Sequence, residues 1–359
     1  MSTNKNPTLY WRSVLYAWLV YLLLSPLAHA QKMAENFIYF PSRGADGITL
    51  RQDAALLDPR FSGAQVVYTW RELEPRKGHY DFSAIRQDLT YLNGQGKQLW
   101  VQLQEKSFTP KLNVPEYLVK APQYKGGVLK QSMETAPERD RTQPLASDDY
   151  GWSAKLWEQT VRERYQRLIR ALGNEFDGKI TGINFSESSL EIGTELADGS
   201  TMFPADFNPQ SYVEALKSNM RTLKSSFSHS NAMVYLNFIP GEWLPWNDHG
   251  YMRSLFAEAE KLGMAVGGPD LMPYRKSHMA QTYGFFKHYP DTLVKGMAVQ
   301  DGNLRQINPK TGKKNTVADI LTFSQQYLGL DYIFWVEDEP YFRQEVMTSL
   351  PKKKLSVRT

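Results

Sequence analysis

Residues 65–103 read QVVYTWRELEPRKGHYDFSAIRQDLTYLNGQGKQLWVQL. Gln65–Trp70 is a short, almost wholly apolar run, the mark of a strand buried on both faces. After a polar turn, Phe82, Ile85, Leu89 and Leu92 recur at spacings of three and four, and the pattern stops at Gly94. That is the stripe of a helix laid on a sheet. Gln98–Leu103 is apolar again. Strand, helix and strand in immediate succession predict two parallel strands joined by a crossover helix.

The alternation continues along the chain. Further strand-like stretches lie at Phe37–Phe40, Lys179–Phe185, Met233–Ile239, Met264–Gly267, Val294–Val299 and Asp331–Val336, which makes eight in all. Helical stripes fall between them. One is Leu156, Val161, Tyr165, Leu168 and Ile169 before Gly173, and another is Tyr212, Leu216, Met220 and Leu223. Tyr251, Leu255, Ala259 and Leu262 end at Gly263, and Val317, Ile320, Leu321 and Tyr327 end near Gly329. The glycines read as helix C-caps. Eight strand–helix units predict a single (β/α)8 barrel over residues 31–359 rather than an open doubly wound sheet. No Gly-x-Gly-x-x-Gly follows an early strand, so a dinucleotide site has no support.

Composition narrows the function. The chain has 359 residues and no cysteine, which excludes a disulfide scaffold, a thiolate metal site and a cysteine nucleophile. An aromatic content of 13% argues against disorder. The 42 basic and 38 acidic residues nearly balance, and the basic ones are scattered apart from Lys352, Lys353 and Lys354, so no nucleic-acid partner is expected. Lys5 and Arg12, the apolar run Val14–Leu24 and the small-x-small site Ala28-His29-Ala30 form a secretory leader, residues 1–30. Cleavage after Ala30 would leave a periplasmic or secreted protein without stable membrane insertion. No two histidines stand at metal-ligand spacing, so neither a metal site nor a cofactor is expected. No heptad or separate interaction domain speaks to oligomeric state.

One segment breaks the rhythm. Residues 106–150 interrupt the third strand and its helix with many charges and with Pro110, Pro115, Pro122, Pro137 and Pro144. An insertion after a barrel strand lies on the C-terminal face, where barrel active sites are built. It is expected to wall a substrate cleft, with Thr194–Gln210 as a second wall.

Carboxylates, amides and aromatics gather at the ends of the expected strands: Gln104 and Glu105; Asn184 and Glu187; Asn237, Glu242 and Trp243; Asp270; Gln300 and Asp301; Trp335 and Glu337. Strand ends converge at a barrel mouth. Two carboxylates there could divide acid and base work across a glycosidic bond, with aromatics such as Trp70, Trp243, Trp246, Tyr274 and Trp335 against the apolar faces of sugars.

The segment Val67–Phe82 contains Trp70-Arg71-Glu72-Leu73-Glu74-Pro75-Arg76-Lys77-Gly78-His79-Tyr80-Asp81-Phe82. It resembles the second-strand signature of barrel glycoside hydrolases of the large retaining superfamily, in particular the bacterial β-galactosidase and cellulase-like groups. There the form is roughly Trp-x-x-Leu-Glu-Pro-x-x-Gly-x-Tyr-Asp-Phe. Gly96–Leu103 resembles the third strand of the same group. The resemblance implies a general acid/base Glu at the end of strand four, where Glu187 stands, with Ser186 in place of the usual Asn. It also implies a nucleophilic Glu at the end of strand seven, where this chain has Gln300. Asp301 or Glu337 could substitute, or the nucleophile could be missing. Trp70, Gln104, Glu105, Asn184, Asn237, Trp243, Asp270, Tyr274, Gln300 and Trp335 are the expected substrate-binding set. The implied function is an exported glycosidase acting on an oligo- or polysaccharide. The alternative is a non-catalytic glycan-binding barrel.

Overall fold

A computed structural model describes residues 33–132, 150–195, 201–300 and 302–351. The expected leader, the middle of the long insertion and Asp301 fall outside the described residues. Eight parallel strands close a barrel: β1 (Glu35–Phe40), β2 (Gly63–Thr69), β3 (Gln98–Gln104), β6 (Gly182–Glu187), β9 (Asn231–Tyr235), β10 (Ala265–Gly268), β11 (Lys295–Val299) and β12 (Tyr332–Val336). All eight coincide with the apolar stretches read from the sequence. The other strands form two small antiparallel pairs, β4 (Val128–Ser132) with β5 (Tyr150–Ala154) and β7 (Thr194–Glu195) with β8 (Thr201–Met202). The main helices are α1 (Ser83–Gly94), α2 (Gln159–Phe176), α3 (Pro209–Ser226), α4 (Tyr251–Leu262), α5 (Gly284–His288) and α6 (Val317–Phe323).

Strand period two sorts the core into two parts. Phe37, Tyr39, Val67, Trp100, Met233, Tyr235, Ala298 and Phe334 point into the barrel and pack on one another. Their neighbours Ile38, Val66, Val101, Ile183, Val234, Val266, Met297 and Ile333 point outward and pack under the helices. Burial on both faces is why each strand reads as a continuous apolar run. The interior also holds a polar layer. Gln65 donates to Asn184 Oδ1 (3.0 Å) and to the Tyr235 hydroxyl (2.9 Å), and Trp100 Nε1 donates to the same Asn184 oxygen (2.9 Å).

Two glycines expected as helix ends behave differently. Gly263 is the left-handed C-cap of α4, with φ 60°. Gly173 is not a cap, because α2 runs on to Phe176. A Cβ on Gly173 would stand 2.3 Å from the Ser226 carbonyl, so this glycine lets α2 and the end of α3 approach closely.

Candidate active site

The register between β6 and β9 decides where Glu187 points. Asn184 pairs with Met233 and Glu187 with Tyr235, so three steps on β6 oppose two on β9. This β-bulge cancels the change of face that three residues would bring. Glu187 comes level with Tyr235, which faces the barrel interior. Bulges beside active sites re-aim side chains in this way.

Glu187 opens on a cleft of about 580 Å³ at the barrel mouth. Tyr39, Gln102 and Tyr235 lie on its floor, and Ser189, Glu191 and Asp270 flank it. Asn237 Nδ2 donates to Glu187 Oε2. Burial first, then the negative charges of Asp270 and Glu191, push the Glu187 carboxyl up from 4.5 to about 7, against the opposing pull of Lys106 and the Asn237 hydrogen bond. Burial raises Asp270 as well, although Asn303 donates to its Oδ1 at 3.0 Å. Tyr39 is raised by burial and then by the Glu187 charge.

Lys106 is fully buried beneath this site. Its ammonium donates to the backbone carbonyls of Glu187 and of Ser189, the latter at 2.8 Å. Desolvation lowers its proton affinity, while Glu105, Glu187 and Glu191 raise it. The loop after β6 is pinned further by the Ser189 amide on Asn237 Oδ1 (3.1 Å) and by the Tyr212 hydroxyl on the Ser188 carbonyl (2.9 Å).

The start of the insertion walls the cleft through Ser107, Phe108, Thr109, Lys111 and Asn113. It is stitched to the loop after β6, since the Glu191 amide donates to Gln131 Oε1 (3.1 Å) on β4 and Ser132 N donates to the Glu191 carbonyl (2.8 Å). None of the described residues of Thr194–Gln210 lines the cleft.

Of the residues singled out in the sequence, Glu187, Gln104, Asn237, Asp270 and Gln300 meet at the cleft. The others go elsewhere. Trp70 and Trp335 are fully buried, their indole N–H groups held by Glu74 Oε2 and Asn36 Oδ1, both at 2.8 Å. Asn184 lies inside the barrel, below the cleft. Glu105 is buried and accepts the Ser186 hydroxyl at 2.7 Å. Trp243 stacks on Phe238, which lines the cleft, while Trp246 is 79% exposed. Tyr274 packs on Phe323 and lies under the Lys310 ammonium at 3.4 Å. Glu242 is a scaffold group whose carboxylate accepts the amides of His249, Tyr251 and Met252 at the start of α4. Glu337 lines a separate hollow with Asp53 and Arg343, where partial desolvation and the Asp53 charge raise its proton affinity. Among the described residues, no group of three or more His, Cys, Asp and Glu side chains could hold a metal ion. No described helix is long and apolar enough to cross a membrane.

Sequence reasoning passed over Tyr39, Lys106 and Glu191. Tyr39 had a signal, being two residues beyond Phe37 on the inward face of β1. Lys106 and Glu191 had none, because only the folded loops bring them to Glu187.

No family model matches the sequence, and no curated protein sequence matches it. Solved structures do. The catalytic domain of β-amylase from Paenibacillus polymyxa is similar over 90% of this chain and 100% of that one, with a TM-score of 0.57 and 8% identity. Xylanase 10B from Thermotoga petrophila is similar over 87% of this chain and 85% of that one, with a TM-score of 0.48 and 10% identity. At such identities the likeness is one of architecture alone: the chain is a closed (β/α)8 barrel, and the β-amylase domain shares that fold.

Proposed function

We propose that this chain is an exported glycoside hydrolase in which Glu187 is the general acid. The observation that carries the reading is one carboxyl, at the mouth of the barrel and open to a polar cleft, that burial holds protonated to about pH 7. A glycosidase acid must keep its proton until the leaving oxygen needs it, and desolvation among other acids is the usual way to secure that. The Asn237 amide fixes the carboxyl through Oε2, and the pinned loop from Glu187 to Ser189 limits its wander. In hydrolysis the proton passes from Glu187 to the glycosidic oxygen as the bond to the anomeric carbon breaks, and a second carboxylate supports the positive charge on the sugar. The cleft walled by the insertion, with the Phe238–Trp243 stack at its edge, suits an oligo- or polysaccharide better than a small glycoside.

The test is hydrolysis of a panel of plant and bacterial oligosaccharides by the mature protein and by Glu187→Gln. The expected loss on unactivated glycosides is about 10²–10⁴-fold, the range for removing a general acid. Wild-type kcat/KM should fall as pH rises through about 7, where Glu187 loses its proton. Glycan binding with no turnover by the wild type would turn the reading to a non-catalytic barrel.

A further inference from the structure

We infer that Asp270, on the loop that leaves β10, is the second carboxylate of the reaction, in place of a group on strand seven. The inference rests on the glycosidase reading and deepens it. Four observations converge on this residue. Asp270 stands two positions beyond the end of β10, so it projects from the C-terminal end of a barrel strand. It lines the same cleft as Glu187. Its orientation is fixed, because Asn303 donates to Oδ1 (3.0 Å) and the Tyr283 hydroxyl to its backbone carbonyl (2.8 Å). At the end of strand seven the described residue that lines the cleft is Gln300, which can form no carboxylate.

Asn303 makes the arrangement a built one. It is 3% exposed, and its Oδ1 accepts the amides of Gln300 (2.9 Å) and Leu271 (3.2 Å) while its Nδ2 holds Asp270. One side chain ties the end of strand seven to the loop carrying the acid. Asn303 is a positioning residue for Asp270. The two carboxyl groups also feel each other, since the Asp270 charge raises Glu187. Glu337, the other substitute, faces Asp53 in its own hollow and not this cleft.

The chemistry balances along either stereochemical course. The exocyclic C–O bond breaks, its electron pair goes to the leaving oxygen, and that oxygen takes the Glu187 proton. Asp270 either removes a proton from a water whose oxygen attacks the anomeric carbon, or gives its own lone pair to that carbon. The first course yields the inverted sugar in one step. The second forms an ester that water hydrolyses with Glu187 as base, so that configuration is retained.

The experiment compares Asp270→Asn, Asp301→Asn and Glu337→Gln with the wild type on the best substrate of the panel. The readouts are kcat, the product anomer by NMR, and rescue of Asp270→Ala by azide. The expected result is a fall in kcat of at least about 100-fold for Asp270→Asn. Azide should restore turnover of Asp270→Ala and form a glycosyl azide. Asn303→Ala should lower kcat more than it raises KM, and folding of each variant is checked by circular dichroism. A larger loss in Asp301→Asn or Glu337→Gln than in Asp270→Asn overturns the assignment. If the wild type cleaves and Glu187→Gln does not, yet Asp270→Asn turns over within tenfold of wild type, the assignment of Asp270 fails and the glycosidase reading stands. If the wild type cleaves no glycoside, the glycosidase reading fails and Asp270 falls with it.

Discussion

Two glutamates on this barrel carry opposite designs. Glu74 is fully buried, and both its oxygens are engaged: Oε1 by Arg164 and the Gly78 amide, Oε2 by Trp70 Nε1 at 2.8 Å. Arg164 in turn donates to the Tyr117 hydroxyl at 3.1 Å. Every charge there meets a partner. Glu187 has Asn237 as its side-chain donor, while Asp270 and Glu191 repel its charge. Lys106 lies close but directs its donors to the backbone carbonyls of Glu187 and Ser189. Burial therefore does not by itself produce an acid poised to give up a proton. The balance of donors and charges around the carboxyl decides between a brace and a reagent.

The largest effect separating the two is on stability. Glu74→Ala leaves the Arg164 guanidinium buried without its counter-charge, and breaking such a pair costs about 3–5 kcal/mol. Urea unfolding at pH 7 measures it. A double change of Glu74 and Arg164 to methionine should recover much of that loss, since a well-packed apolar pair can replace a buried ion pair. Turnover per folded molecule should stay within a few-fold of wild type. A loss of turnover at full folding would place Glu74 in the chemistry and end the contrast.

The second effect has the opposite sign. The folded state holds the Glu187 proton up to about pH 7, whereas an exposed Glu gives it up near 4.5. Between those values the folded chain binds more protons than the unfolded one, so stability falls as pH rises through that window and levels off above it. Glu187→Gln removes the burden. The variant should match the wild type near pH 4 and be more stable at pH 8, by up to roughly 3 kcal/mol for a shift of this size. Urea midpoints at the two pH values test this. A variant equally stable relative to wild type at both would show that Glu187 titrates normally.

The fold was more legible than the site, for a physical reason. A barrel strand is buried on both faces, so its hydrophobicity shows in the one-dimensional pattern, and Phe37–Phe40 through Asp331–Val336 were each visible. The resemblance motif was visible too, but its Trp70, Glu74 and Gly78 hold one another and Arg164 rather than a sugar. Trp335 misled in the same way: an indole with an internal acceptor, here Asn36, packs as core. Glu187 was singled out through its place at a strand end. Its inward aim depends on the bulge opposite Tyr235, which exists only in the pairing of β6 with β9. Asp270 was legible as a strand-end polar residue, but the Asn303 brace comes from a residue 33 positions away.

The smallest effect probes Lys106, the group that stands between the two designs. Its ammonium lowers the Glu187 proton affinity, which burial and the neighbouring acids raise. Lys106→Met keeps the length and apolar stem of the side chain but removes the charge and the two donors to the Glu187 and Ser189 carbonyls. With the charge gone, Glu187 should hold its proton to higher pH, so the alkaline limb of kcat/KM should move above its wild-type position near 7. On the acid side of the profile, where Glu187 is protonated in both proteins, the loss should be within about tenfold, reflecting a loosened loop rather than a missing acid. A purely structural lysine would lower the whole profile and leave the limb in place. A limb that moves shows that Glu187 is tuned by charge as well as by burial. The contrast with Glu74 would then lie in where the nearby cation directs its hydrogen bonds: Arg164 onto the carboxylate, Lys106 onto the loop behind it.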